Sequence, residues 1–228
     1  MGTYPGLTRR PWHEAARFAL ARDLERAAPQ IAAELHGLTD AFHAESEPIS
    51  RFGSWDVLML YERGRRLAET CARCPVTTRI VEAHRTVRGP GGLIYFSRLA
   101  PGTHVAPHAG PTNLRLRLHL GLDVPPNCGL RVAAESRSWT SGKCIVFDDS
   151  FEHEVWNDSD RERIVLVADL WHPDLSDDEV ALLNGLGRYA FAHARNLTGF
   201  WAANEAARAR NAEPSAAVSH AAEHSPRG

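Results

Sequence analysis

The sequence predicts a mainly β protein with helices flanking its β core, and three observations carry that prediction. From Gly91 onward, apolar stretches of strand length recur at short intervals and are separated by turn residues. Before that point the apolar residues fall at helical spacing over much of the chain. After Pro173, the run Ser176-Asp177-Asp178-Glu179 reads as a capping box that opens a further helix.

Taken in order, Pro11 suits a first helical position, and Trp12, Ala15, Ala16, Ala19 and Leu20 follow at helical spacing. Pro29 should end or kink that helix. Ile31, Leu35 and Leu38 suggest a second short apolar stripe. Phe52 to Tyr61 reads as strand, with Trp55, Val57, Met59 and Tyr61 alternating against Leu58 and Leu60. Residues 67–84 read as helical or irregular with a break at Pro75. Leu93 to Leu99 is a strong strand, followed by short strands at 114–122, 129–133, 143–148, 151–157 and 163–171. Pro101-Gly102, Pro125-Pro126-Asn127, Ser141-Gly142 and Asn157 to Asp160 supply the turns between them. The capped helix should reach about His193, and Thr198 can cap a last one to about Arg210. Residues 211–228 are rich in Ala, Ser, Glu, Pro and His, the composition of a disordered tail. One domain results. A helical and mixed part (1–90) packs on a β core (91–175), followed by C-terminal helices (176–210) and the tail (211–228).

At 228 residues the chain can bury one sizeable core. Lys+Arg 26 against Asp+Glu 28 gives a net charge of −2, which argues against a general nucleic-acid binder. No apolar run approaches the ~20 residues that span a bilayer. Arg9, Arg10 and Pro11 interrupt any signal-peptide core, so the expected compartment is the cytoplasm and no membrane partner is expected. Four cysteines do not make a disulfide scaffold in a chain this long. Cys71-Ala72-Arg73-Cys74 is a lone CxxC, read first as two reduced thiols near a helix end, with zinc, redox and disulfide roles left open.

Twelve histidines raise the question of which converge. His104 and His108 would share a helix face, but Pro107, Gly110 and Pro111 make a helix implausible, and Pro101 to Asn113 reads as an extended loop able to present one histidine. A lone loop histidine is structural more often than it is a ligand. In Leu114-Arg115-Leu116-Arg117-Leu118-His119-Leu120, leucines alternate strictly with Arg115, Arg117 and His119, which places those three groups on one strand face. That face is either the exposed side of a half-buried sheet or the interior of a barrel. The interior case demands an anionic ligand, for which a di-acid would suit, because unpaired buried charge is very costly. His153 follows His108 by 45 residues, so the two could share a metal. Arg163 shares a sheet face with His153 only if the turn between them has an odd number of residues. Asp148 and Asp149 read equally as turn residues or as support for a metal site.

Together, the runs His108 to Asn113, Arg115 to Leu122 and Phe147 to Trp156, closed by Trp171-His172-Pro173, resemble the aspartyl/asparaginyl β-hydroxylase family. The likeness is dense over about 95–175 and weaker over 10–90. It implies a double-stranded β-helix core and an Fe(II)- and 2-oxoglutarate-dependent dioxygenase that also consumes O2. Carried over by position, it implies His108 and His153 as the metal ligands. Ser97 and Arg163 would hold the distal carboxylate of 2-oxoglutarate, with Arg117 and His119 near its metal-binding end. Arg115 and Arg117 would lie close to a substrate carboxylate. The carboxylate that normally completes such a site stands two residues after the first histidine, and here that position is Gly110. The family departs from the usual pattern in the same way. Such a vacancy can admit halide in related oxygenases, so a halogenase is one alternative. A non-catalytic cupin-like binding or sensing module is the other.

The expected reaction is hydroxylation of an aspartyl, asparaginyl or related acidic amino-acid substrate at the β-carbon, whether the substrate is a small molecule, a peptide residue or an amino acid tethered to a carrier. With 2-oxoglutarate satisfying Arg163, at least one of Arg115 and Arg117 is expected to lack a permanent anion and so to await the substrate. His172 is expected to be structural, and His220 and His224 to be inert in the tail.

Overall fold

The computed structural model describes residues 3–45, 50–190 and 192–193. Its contacts divide the chain into two compact units, Met1–Arg188 and Tyr189–Gly228, and the whole β core lies in the first. The expected helix from Thr198 and the tail with His220 and His224 fall outside the described residues.

The strands are β1 (Trp12–His13), β2 (His43–Ala44), β3 (Ser50–Phe52), β4 (Trp55–Glu62), β5 (Arg65–Arg66), β6 (Leu93–Leu99), β7 (Thr103–His108), β8 (Arg115–Asp123), β9 (Cys128–Val132), β10 (Glu135–Arg137), β11 (Cys144–Phe147), β12 (His153–Asn157) and β13 (Arg163–Trp171). The helices are α1 (Ala19–Glu34), α2 (Ala68–Arg73) and α3 (Pro75–Ala83), with a further helix, α4, over 177–190. From β6 onward the chain shuttles between two antiparallel sheets. One carries β11-β8-β13-β6 and the other β10-β9-β12-β7. That alternation is the double-stranded β-helix, or jelly roll. Strands β4 and β2 extend the larger sheet at one edge and β1 at the other, and β3 extends the smaller sheet.

Both faces of the larger sheet are buried. Leu116, Leu118, Leu120, Leu166 and Leu170 on its outer face pack with Leu20, Leu24 and Ile31 of α1 and Val81 of α3. Leu99, Val165 and Val167 on its inner face meet Val105, Leu130, Val132 and Val155 of the smaller sheet. Each fully buried aliphatic side chain stabilises the fold by roughly 1.5–3 kcal/mol before entropy is counted.

Three local expectations change. The first helix begins at Ala19 rather than at Pro11, because Trp12 and His13 pair with Phe147 and Val146 as strand β1. It also runs through Pro29 to Glu34. Pro29 sits on the exposed side, and burial of Ala27, Ala28 and Ile31 outweighs the one backbone bond it forfeits. Finally, Pro101 to Asn113 is not a loop throughout, since Thr103–His108 is strand β7. Between the pairs His153↔His108 and Val155↔Val105 the register shifts, so the irregularity falls at Pro107, which has no N–H to give a ladder. Two further expectations agree with the structure. Pro75 opens α3, and Ser176 and Glu179 exchange both bonds of a capping box.

Candidate active site

Pairing of β7 with β12 sets His108 directly opposite His153, with ring centroids 4.1 Å apart. Each ring is tied the same way: Nδ1 of His108 lies 2.8 Å from Ala106 O, and Nδ1 of His153 lies 2.9 Å from Phe151 O. A carbonyl can only accept, so Nδ1 carries the proton in both rings and each Nε2 keeps its lone pair. Burial and the neighbouring His108 push the pKa of His153 down to about 3, so it is neutral at ordinary pH. Two imidazoles held in this orientation are a donor set suited to a divalent transition metal. No third His, Cys, Asp or Glu joins them in a metal-ligating cluster among the described residues.

Gly110 explains why. Its N–H donates to Asp149 O at 2.7 Å, and a Cβ placed on it would come within 2.7 Å of the Asp149 carboxylate. A side chain at Gly110, two residues after His108, would therefore have to displace the Asp149 carboxylate. Asp148 serves the turn, its carboxylate accepting from Ser150 N at 2.9 Å.

The alternating strand β8 has no exposed face over Arg115 to Gly121. Its leucines face the helices and its Arg/His row faces inward, so the interior alternative is the one realised. The expectation that an arginine of this row lacks an anion is overturned. Arg117 Nε and one terminal nitrogen grip Asp169 at 2.8 and 3.2 Å, and Arg117 lies 3.4 Å from Asp149. Arg115 contacts Asp149 at 3.1 Å, Asp169 at 3.2 Å and the Gly91 carbonyl. Burial opposes the Arg117 charge, but Asp169 and Asp149 outweigh it and hold its pKa well above the ordinary value. Asp169 also accepts from Leu93 N at 3.0 Å. It was not singled out in the sequence, where a lone Asp inside an apolar strand is visible but its partners are not.

Arg163 differs. It is 2% exposed, forms no ion pair among the described residues, and its Nε is buried without a partner. Its nearest polar contact is Ser97 Oγ at 3.5 Å, which also accepts from Trp55 Nε1 at 3.1 Å. Its guanidinium carbon lies 5.0 Å from the ring centre of Trp139. Burial pulls its pKa down to about 10. The odd-or-even turn argument for Arg163 and His153 does not apply, because β12 and β13 belong to different sheets and the two residues meet across the barrel. His119 is neutral too, its pKa pushed well down by burial and by Arg117 and Arg163.

One cavity between the sheets is lined by His108, His153, Arg117, His119, Ser97 and Arg163, with Trp55, Tyr95 and Phe147 among its walls. Six of the seven residues singled out from sequence therefore converge. Arg115 does not line it and contacts the same two carboxylates, Asp149 and Asp169, as Arg117. A larger groove of about 610 Å³ beside Arg10, His13 and Arg17 contains none of these groups. Cys71 and Cys74 are buried free thiols, and His172 contacts the Thr8 carbonyl, a structural role.

Comparison with known proteins gives a consistent result. The family model described as aspartyl/asparaginyl beta-hydroxylase matches residues 25–173. A human protein named aspartyl/asparaginyl beta-hydroxylase is 39% identical over 183 residues, covering 76% of this chain and 24% of its own. Human aspartate beta-hydroxylase domain-containing protein 2 is 37% identical over 167 residues, covering 68% of this chain and 45% of its own. The chain thus spans about a quarter to a half of these curated relatives. Among solved structures, a Pseudomonas putida prolyl-4-hydroxylase aligns at TM-score 0.42 and 15% identity, covering 65% of this chain and 87% of that one.

Proposed function

Since the chain belongs to the aspartyl/asparaginyl β-hydroxylase family, we propose that it is an Fe(II)- and 2-oxoglutarate-dependent dioxygenase that hydroxylates an aspartyl, asparaginyl or related acidic amino-acid substrate at the β-carbon. The observation that carries this reading is Arg163, a guanidinium buried in the cavity with no carboxylate paired to it among the described residues, in the same cavity as two histidines whose Nδ1 atoms are held by backbone carbonyls. A buried cation without a partner is costly, and a dicarboxylate is the ligand that would relieve it.

In this reading His108 and His153 hold the iron through Nε2. Arg163 and the Ser97 hydroxyl take one carboxylate of 2-oxoglutarate, and Arg117 with His119 orient its keto-acid end. Bound there, iron and 2-oxoglutarate would supply the oxidising power that turns O2 and 2-oxoglutarate into succinate, CO2 and one oxygen atom inserted into a substrate C–H bond. The chain's own share is orientation and exclusion of water. Asp169 fixes one edge of Arg117, leaving the remainder of the guanidinium to face a ligand. Phe147, Val155 and Val167 keep the cavity walls apolar.

The charge balance of the row bears on substrate choice. Asp149 and Asp169 already neutralise Arg115 and Arg117, so a substrate carboxylate reaching Arg117 competes with, or shares, an internal anion. Arg115 then supports Arg117 more readily than it touches substrate. Hydroxylation is favoured over halogenation because a buried, unpartnered carboxylate oxygen of Asp149 stands beside Gly110 and would repel a halide. The substrate is a small molecule, a peptide residue or a carrier-tethered amino acid. Four free, buried cysteines suit a reducing compartment such as the cytoplasm, and no described helix is long and apolar enough to cross a membrane.

The test is anaerobic reconstitution with Fe(II) and 2-oxoglutarate, admission of O2, and a mass-spectrometric search over aspartyl and asparaginyl peptides and free amino acids. Succinate and a product heavier by one oxygen are expected. His108→Ala and His153→Ala should each abolish both. Full turnover in either variant would reject the assigned ligands.

A further inference from the structure

We propose that Trp139 is a positioning residue of this site: its indole N–H fixes the proton of His119 on Nε2, and its ring face covers Arg163, so one side chain sets two of the groups that would receive the dicarboxylate, one toward each end. The inference rests on the function proposed above for its second half only, because the His119 proton follows from geometry alone.

Trp139 lies in the segment between β10 and β11 and is 4% exposed. Its Nε1 stands 3.2 Å from His119 Nδ1. The two ring planes are nearly parallel, 16° apart, with centroids separated by 5.9 Å. An indole N–H can only donate. Nδ1 of His119 must therefore be the acceptor, and a ring that accepts at Nδ1 carries its proton on Nε2. The hydrogen bond of His119 to Trp139 is made at Nδ1, and His119 lines the cavity. His119 thus offers the cavity a neutral N–H donor. The opposite tautomer would offer a lone pair, which a carboxylate cannot use because both of its oxygens are acceptors.

The second contact is independent of the first. The face of the same indole lies 5.0 Å from the Arg163 guanidinium carbon. It covers one side of the cation with π-density and leaves the planar fork aimed at Ser97. Phenylalanine at 139 would keep the face and lose the N–H, whereas leucine would lose both, so substitution separates the two contributions.

The experiment uses the metal-free protein labelled with ¹⁵N-histidine. His119 is assigned as the resonance pair missing from His119→Gln. In the native protein its nitrogens should report the Nε2–H tautomer, and an Nδ1–H tautomer would overturn the proposal without any Trp139 variant. In Trp139→Phe the pair should move toward a tautomer mixture, and an unchanged spectrum would overturn it. A second arm measures 2-oxoglutarate binding by calorimetry with Zn(II), which does not turn over. Trp139→Phe should weaken binding by about threefold to tenfold, the usual effect of losing one hydrogen bond, and Trp139→Leu should weaken it further. In a His119→Gln background Trp139→Phe should have no further effect, which a merely structural tryptophan would not give. If native protein binds 2-oxoglutarate and Trp139→Phe binds equally well, the positioning role fails. If native protein does not bind it at all, the proposed function fails, and the tautomer measurement alone decides Trp139.

Discussion

Arg163 shows how a single residue can be selected against stability. Its charge is buried, unpaired and disfavoured enough that its pKa falls to about 10. Replacing such a group with an apolar side chain of similar length commonly leaves a fold as stable or makes it more so. Arg163→Met should therefore leave the thermal midpoint of the ligand-free protein unchanged or raise it. It should also weaken 2-oxoglutarate binding by about tenfold or more, since hydrogen bonds to a charged group contribute roughly 1.5–3 kcal/mol. A lowered midpoint together with unchanged binding would place the cosubstrate elsewhere. Gly110 makes the converse point. Writing a carboxylate there, as Gly110→Asp, should not build a third metal ligand, because the new Cβ meets the Asp149 carboxylate at 2.7 Å in a packed site. Overpacking of this kind costs about 1–3 kcal/mol, and like charge adds to it. A lower midpoint and loss of metal uptake are expected on heating and in metal analysis of purified variant. Tighter metal binding would show that the loop around Asp149 yields.

Among elements, β8 was the most informative in the sequence and also the most ambiguous. Its period of two was plain, but periodicity cannot say which face is inside, and here both are. The β13 strand hid more. Arg163 to Trp171 reads as a continuous apolar run apart from Arg163 and Asp169, and nothing local announces that Asp169 lies across from Arg117. That pairing is a property of sheet order, not of spacing. The start of α1 was misplaced for a related reason: the helical period of Trp12 to Leu20 is real, but edge pairing with β11 takes Trp12 and His13 first. Asp169 joins β13 to β8 through two arginines and to β6 through Leu93 N. Asp169→Asn leaves two buried guanidinium groups sharing one remaining carboxylate. Breaking a buried pair in this way typically costs about 3–5 kcal/mol, so a large fall in the urea midpoint is expected. A change under about 0.5 kcal/mol, the scale of ordinary surface substitutions, would mean Asp149 alone balances both arginines.

At the scale of the whole molecule, the jelly roll divides its duties between two faces of one sheet. The outer face packs on α1 and α3 and supplies aliphatic burial. The inner face, with the smaller sheet, encloses polar groups that burial disfavours when charged: His119, His153 and the guanidinium of Arg163. The sequence made the strands and the paired histidines legible through turn residues and motif runs. The division of faces was not legible, because it depends on which sheet each strand joins. One consequence is a pH response set by the interior. The folded pKa of His153 is near 3 and its unfolded value is about 6.5. Between those values the unfolded chain binds a proton that the folded protein refuses, so this residue's stabilising contribution is complete above about pH 6.5 and is lost as pH falls toward 3. At about 1.4 kcal/mol per unit the full loss approaches ~5 kcal/mol, and roughly 3 kcal/mol of it falls by pH 4.5. The lowered pKa of His119 works in the same direction. Urea midpoints measured on metal-free protein from pH 7 to 4.5 should fall steadily, and His153→Gln should remove about one proton's worth of that slope. Zinc should hold the midpoint up at neutral pH and lose its effect in acid, as protons displace it from the imidazoles. An equally steep slope in His153→Gln would show that His153 is accessible to protons in the folded protein, and burial could not be what lowers its pKa.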